Sequence, residues 1–588
     1  MTAPYYGLSP FQLTEVTSST REVVLAARDH LVSQRDTLEL QILSANALLN
    51  STSPVNRLPT EILINIFRDL KEGRTESGTQ PWYNVAAVCR SWRAIASSTP
   101  LLWNDIHVGP DMNAVLFQAF LERSLPFPIA VSFASSTKLA VYLALIRAHL
   151  SRVRVLRFIS TPRSEADLVA DLLNESMPTL EKLTVWLNPS LNEDGDEDDD
   201  MDASQEEEVF AWRPEEQKLP HLVDLSLRGI VLRFSATLGT SLRRLELRDC
   251  IGLAASLAVL NDVLRRCDKL EKLLISRYRC NDERLGPGPR ISLPQTLRTL
   301  VLVDSHWYTA YVLDTFYVPP TVQISITKVV ENEQEDRLDG PISECIPEDR
   351  TCLPILAMVD RVHVELQRAD GVCTVIGAVG AHKITIDTIA MHVEDTVVPD
   401  IARDLPMLFG DAPLVELIIN CVGEHYITMM DWIHMLKRFP LIQRLSVIGG
   451  SLSQSEHQPR YTLVAALQGP RNVLCPNLRE LALVSRHPEE DKLLQNLTAC
   501  LERREARGQR LAVLRFGLIC GTAGCLGADE KAELEQREVR RIEVLSHLAD
   551  KVEFASNAVK LFDNSPYEEI FQMTSAEGGS EMGGVNEH

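Results

Sequence analysis

The spacing of apolar residues changes character once along the chain, near residue 103. Before it, the spacing is helical. Ile62, Leu63, Ile66, Phe67 and Leu70 make one apolar stripe on a helix of about three turns. Pro59 suits the first turn of that helix, where its missing N–H would have no partner, and Glu61 meets the positive end of the helix dipole. A second apolar group, Val85, Ala86, Val88 and Cys89, follows the polar stretch Lys71 to Gln80, which reads as a loop. Trp92, Ile95, Ala96, Leu101, Leu102 and Trp103 complete a small helical domain over residues 54–108. A domain of about fifty residues buries a modest share of its surface and favours a partner that covers its remaining apolar groups. Upstream, Ser19-x-x-Glu22 has the form of a capping box and opens a helix over 19–50. Val24, Leu31, Leu38 and Ala45 recur every seven residues there, although Gln34 and Gln41 interrupt the second seam position. Two readings stay open: a single helix packed on the next domain, or a dimerising coiled coil. Residues 1–18 are polar and expected to be disordered.

After Trp103 a different unit recurs, Leu-x-x-Leu-x-Leu, often with Pro two residues before it. Clear copies are Leu180/Leu183/Val185, Leu222/Leu225/Leu227, Leu242/Leu245/Leu247, Leu270/Leu273/Ile275 and Leu297/Leu300/Leu302. Later copies are Leu414/Leu417/Ile419, Ile442/Leu445/Val447, Leu478/Leu481/Leu483 and Leu511/Leu514/Phe516. In each, the last two apolar residues alternate with polar ones, the period of a short strand with one face buried. Helical stretches lie between copies: Asp167 to Glu175, Ser256 to Cys267, Asp431 to Phe439 and Lys492 to Arg507. Strand and helix in alternation imply parallel strands with helices outside. One unit cannot bury its apolar side alone, so neighbours must stack into a solenoid over 109–563. Between Asp304 and Ala412 the pattern is poor and fits either divergent repeats or an insertion.

Composition narrows the function. The chain has 588 residues and a net charge of -22, which argues against nucleic acid and against an anionic membrane surface. Part of that charge is local. Glu193 to Glu208 holds eleven acidic residues and no basic one, so residues 189–217 are expected to form a disordered acidic insertion between two repeats. It reads as a solvated loop or as a docking strip, with Ser204 beside Glu206, Glu207 and Glu208. The tail 564–588 is rich in Gly, Ser and Glu and expected to be disordered. Twelve cysteines are scattered without a Cys-x-x-Cys pair. Cys520 and Cys525 are the closest and have no His pair nearby, so no metal is expected. Scattered thiols, no signal peptide and no membrane span suggest the cytoplasm or nucleus. Gly-x-Ser-x-Gly and His-Glu-x-x-His are absent, and Gly377 to Lys383 lacks P-loop spacing. No cofactor and no catalytic residue are expected.

Two resemblances organise these observations. Leu58-Pro59-x-Glu61-Ile62-Leu63-x-x-Ile66-Phe67, then Val88-Cys89-Arg90-x-Trp92-Arg93, then Pro100-x-Leu102-Trp103, resembles the F-box. The long spacer and the Pro-x-Leu-Trp ending resemble the large fungal set of F-box proteins. The Leu-x-x-Leu-x-Leu units are similar to leucine-rich repeats, although the family's usual Asn or Cys after the third apolar residue appears only as Asn188 and Cys250. Together they imply an α/β chain: an N-terminal helix and three-helix F-box, then an irregular leucine-rich-repeat-like horseshoe with a parallel sheet. The F-box resemblance implies docking on a Skp-type adaptor, and through it a cullin ubiquitin ligase, by Leu58, Pro59, Ile62, Ile66, Val88, Cys89 and Trp92. Leu63, Phe67 and Ile95 read as plain core. The expected role is the substrate receptor of that ligase, with a non-catalytic scaffold that binds the adaptor alone as the alternative. In a horseshoe, residues between the buried leucines point to the inner face. Early repeats give Thr184, Ser226, Arg228, Arg244, Glu246 and Arg248, a polar surface. Later ones give Val301, Val303, Ile418, Ile448, Ala482 and Val484. If exposed, Val301, Ile418, Ile448 and Val484 would form an apolar patch able to hold a protein substrate. The competing reading is that loops or the C-terminal segment cover them.

Overall fold

A computed structural model describes residues 18–72, 82–109, 112–134, 138–188, 211–233, 240–252, 257–280, 289–330, 341–367, 372–390, 400–422, 427–449, 458–469, 474–485, 491–518, 539 and 542–555. The stretch before Ser18, the acidic run from Glu193 to Glu208, Cys520, Cys525 and the tail 564–588 lie outside the described residues. The chain forms two compact units, Met1–Ser132 with Ser136–Arg154, and Phe133–Ser135 with Val155–His588.

The first unit opens with a helix over Ser18–Thr52. Residues 21–52 of this helix are all exposed, so it is not packed along its length on the domain that follows. The shorter helices Thr60–Glu72, Val85–Val88 and Arg90–Ser97 come next. A strand over Asp105–Val108 and a helix over Ala114–Arg123 extend the same unit. Asn113 caps that helix by accepting from the Leu116 amide at 2.8 Å, the expected role of an Asn just outside a first turn. Arg152 then pins the turn after the helix. Its guanidinium donates to Ser124 Oγ at 3.0 Å and to the carbonyl of Phe127 at 2.9 Å.

The second unit is built on a large, mostly parallel sheet. Its early strands stack in sequence order: Val153–Thr161, Lys182–Leu187, Asp224–Arg228, Arg244–Arg248, Lys272–Ser276, Thr299–Asp304 and Gln323–Val330. Each pairs in parallel with the next. The second apolar residue of each sequence unit falls in one register row: Leu183, Leu225, Leu245, Leu273 and Leu300. All five are at most 1% exposed. The main chain repeats as faithfully as the leucines. Val223 and Asp224 N–H both bond the Glu181 carbonyl, Arg243 and Arg244 the Val223 carbonyl, and Glu271 and Lys272 the Arg243 carbonyl. Gln443 and Arg444 use Val415 in the same way, and Arg479 and Glu480 use Gln443.

The middle region continues the sheet by a detour. The strands Arg361–Gln367, Val372–Val379 and His382–Ala390 form an antiparallel meander. Its last strand, His382–Ala390, pairs in parallel with Gln323–Val330, and its first, Arg361–Gln367, pairs in parallel with Glu416–Val422. The meander therefore enters the sheet in reverse sequence order, and the parallel stack resumes beyond it with Arg444–Gly449, Glu480–Ser485, Leu511–Leu518 and Ala549–Ala555. Gly377 lets the middle strand of the meander take a close neighbour. A Cβ there would lie 2.9 Å from the Phe409 ring and 3.1 Å from Val359, so the helix Ile401–Phe409 reaches the sheet only over a bare backbone.

The outer connections hold helices Ala166–Leu173, Ala258–Leu264, Met429–Arg438, Pro459–Leu467 and Asp491–Glu505. Met429–Arg438 starts on a full capping box, Thr428 with Asp431. After several main strands the chain turns at a residue of positive φ, Gly229 (70°), Asp249 (50°) or Arg277 (47°). It then adds a short strand to a second parallel ladder of Ala211–Trp212, Val231–Leu232, Ile251–Gly252 and Arg279–Cys280. Ala211–Trp212 corrects the expected extent of the acidic insertion. Trp212 is 1% exposed, so the chain is folded again well before residue 217, because burying an indole outweighs the ordering of a few polar neighbours.

Gly449 ends the strand Arg444–Gly449 at φ 113°, and a Cβ there would lie far inside van der Waals contact with the Cys421 carbonyl oxygen. Gly508 also has positive φ, 72°, but open space around it. Gly508→Ala should cost about 1 kcal/mol, the ordinary penalty of a left-handed alanine. Gly449→Ala should cost about 3 kcal/mol or more, through strain added to the steric clash. Urea midpoints of the two variants measure the difference, and equal midpoints would contradict this packing.

Candidate protein-docking site

Residues 54–108 use their few apolar side chains in two ways. A 3₁₀ turn, Pro54–Arg57, delivers Leu58 in extended conformation. The Pro59 carbonyl then accepts from Ile62 N–H at 3.0 Å and Leu63 N–H at 3.2 Å, starting the helix. On that helix Leu63 (2% exposed) and Phe67 (0%) face inward, whereas Ile62 is 44% exposed. Ile66 is half-buried and Pro59 is exposed. The backbone at Cys89 is extended and separates two short helices, and its buried Sγ accepts from the Trp92 amide at 3.4 Å as an N-cap. Val88, just before it, is 59% exposed and Leu58 is 38% exposed.

Trp92 connects the pieces. Its ring lies 5.1 Å from that of Phe67, and its Nε1–H donates to Asn56 Oδ1 at 2.6 Å. Asn56 Nδ2 in turn donates to the Asn50 carbonyl at 2.6 Å. Half-buried, Trp92 therefore fixes where Leu58 and Pro59 leave the 3₁₀ turn. The other end is closed by an aromatic cluster. Trp103 lies 5.0 Å from Trp82 and 4.8 Å from Phe120 between ring centroids. Its Nε1–H donates to the Ala96 carbonyl at 2.7 Å, and Arg123 stands 4.5 Å over its ring. Local spacing does not single out Asn56, Phe120 or Arg123, since their partners lie in other elements.

Of the residues expected to dock an adaptor, Leu58, Pro59, Ile62 and Val88 are exposed, Ile66 and Trp92 are half-buried and Cys89 is buried. This is a small domain with a full aromatic core that still leaves large aliphatic side chains in water. Residues 55–108 match the F-box-like family. The chain therefore carries an F-box-like domain, of the kind that typically serves as a non-catalytic adaptor-binding module. None of the curated proteins matches the chain.

The second expected site does not form as an open apolar patch. Ile418 and Ile448 are each 5% exposed and Val484 is 0% exposed; of the four, only Val301 is half-buried. The reason is visible in the strands. Asp224–Arg228 and Arg244–Arg248 alternate apolar with polar, whereas Glu416–Val422, Arg444–Gly449 and Glu480–Ser485 carry nearly continuous apolar runs. Such runs belong to parallel strands covered on both faces.

No group of His, Cys, Asp and Glu among the described residues could hold a metal ion, and no helix among them is long and apolar enough to cross a membrane. The described cysteines are free and buried. Burial pushes the thiols of Cys250, Cys267, Cys345, Cys421 and Cys475 up to about 12, so they stay protonated and unreactive.

The division of labour within the domain predicts opposite outcomes for two substitutions. Val88→Asp, at an exposed site, should leave thermal stability within about 0.5 kcal/mol. Phe67→Ala should remove about 3–5 kcal/mol from the first unit. Thermal melting followed by near-ultraviolet circular dichroism would read both, and a large loss from Val88→Asp would refute the exposed placement.

Proposed function

We propose that this chain is the substrate-receptor subunit of a cullin-type ubiquitin ligase. The F-box-like domain docks a Skp-type adaptor, and the adaptor joins the chain to the cullin. The second unit acts as a leucine-rich-repeat-like solenoid that holds a protein substrate. The observation that carries the reading is the exposure of Leu58, Ile62 and Val88 on a domain matched to the F-box-like family. Covering each such side chain is worth about 1.5–3 kcal/mol, enough to anchor a partner. No catalytic residue of its own is required. The chain works by raising the effective concentration of bound substrate near a tethered transfer enzyme. The cytoplasm or nucleus is the setting this role requires.

The alternative is a scaffold that binds the adaptor without directing ubiquitination. Co-purification separates the two. Both bring down the adaptor, but only a receptor brings down a protein whose turnover depends on the chain. Replacing Leu58 and Pro59 by Ala should reduce adaptor capture about 100-fold, roughly 2.7 kcal/mol, while the second unit keeps its melting transition. Adaptor capture at the wild-type level by the folded double variant would overturn the docking assignment.

A further inference from the structure

The early strands of the second unit carry an unbalanced cationic row. In register across Lys182–Leu187, Asp224–Arg228, Arg244–Arg248 and Lys272–Ser276 lie Trp186, Arg228, Arg248 and Ser276. They alternate with the buried Leu and Val residues of the same strands, so they lie on the opposite face. The rows beside them hold charges of both signs. Asp224 pairs with Arg244 at 3.2 Å and with Lys182 at 3.9 Å, and Lys272 pairs with Glu246 at 2.9 Å. The Trp186 row itself holds no carboxylate. Arg228 and Arg277 both pair with one carboxylate, Asp249, at 2.9 Å and 2.5 Å. Arg248, next to Arg228, has no hydrogen-bond partner on its Nε, which is shut off from solvent.

Two arginines on adjacent parallel strands stand about 4.8 Å apart at the backbone and repel each other unless an anion lies between them. With Nε enclosed by the protein, the outer nitrogens of Arg248 are left to meet a ligand, and a planar carboxylate suits them best because it takes two parallel N–H bonds. The half-buried Trp186 indole beside Arg228 adds a flat apolar contact for the rest of a peptide. The cationic row is local, on a chain of net charge -22. Diffuse attraction of polyanions is therefore opposed by the whole molecule, and binding depends on this row. We infer that Trp186, Arg228 and Arg248 form a docking row for an acidic, Asp/Glu-rich segment of a protein partner. The inference rests on the receptor reading above and names the chemistry of the segment received.

The test uses the full chain and fluorescein-labelled decaglutamate, followed by fluorescence anisotropy at two salt concentrations. Wild-type chain should bind the peptide, and binding should weaken as salt rises. Arg248→Glu should weaken it at least tenfold, and Arg248→Lys should retain part of the affinity because a point charge replaces the planar fork. Arg510→Glu, on a cation far along the sheet, should leave binding unchanged. No binding to wild type, equal binding by Arg248→Glu, or equal binding of a single-stranded oligonucleotide of the same charge would each overturn the inference. Binding that appears only after the acids of 193–208 are replaced by Ser would assign the row to the chain's own segment and overturn the partner. Adaptor capture by the same variants keeps the two readings apart. Lost peptide binding with intact adaptor capture in Arg248→Glu supports the row. Lost adaptor capture in the Leu58/Pro59 variant leaves it unaffected.

Discussion

The second unit depends on one constraint: a strand in this sheet has no use for its polar backbone until the neighbouring strand is in place. Consecutive N–H groups at the start of one strand converge on a single carbonyl of the one before, as Arg243 and Arg244 do on Val223. The same register brings Leu225, Leu245 and Leu273 into line. A buried, unpaired backbone group costs as much as a lost hydrogen bond, so neither the backbone nor the leucine row is satisfied in a single repeat. Stability must come from stacking, and the sheet tolerates irregular connections as long as the ladder is unbroken. The meander of 361–390 shows how far that tolerance goes. Strand order reverses locally, one strand runs antiparallel, and yet every strand of the meander has a partner on each side.

The polar face obeys a looser rule. Charges along it form short chains across strands, Lys182–Asp224–Arg244 at one end and Glu480–Arg515–Glu553 at the other. These pairs are partly exposed, so each adds little stability. Each chain mixes both signs, whereas Arg228 and Arg248 stand side by side in a row with no carboxylate. The first unit shows the complementary departure. Its aromatic core around Trp82, Trp103 and Phe120 is closed, yet Leu58, Ile62 and Val88 stay in water. The hydrophobic effect places most such side chains inside, and these exposed ones are the surface that the proposed adaptor would cover.

Features set by neighbouring residues were legible before any fold was known. The three-to-four spacing of Leu63 and Phe67 specified a helix and its inner face. The period-two alternation of Leu183, Val185 and Leu187 specified a strand with one apolar side. The stretch Asp431 to Phe439 read as a helix, close to the observed Met429–Arg438. These features follow from dihedral geometry, which repeats over a few residues whatever surrounds it. Tertiary structure alone decided what covers what. It buried Ile418, Ile448 and Val484, for which the spacing allowed either an exposed or a covered face. It also ordered Trp212 beyond the acidic run, tied Trp92 to Asn56, and fitted the meander into the sheet in reverse. Each of these depends on contacts between residues distant in the chain, and the same local pattern is compatible with either outcome until the neighbouring element has packed.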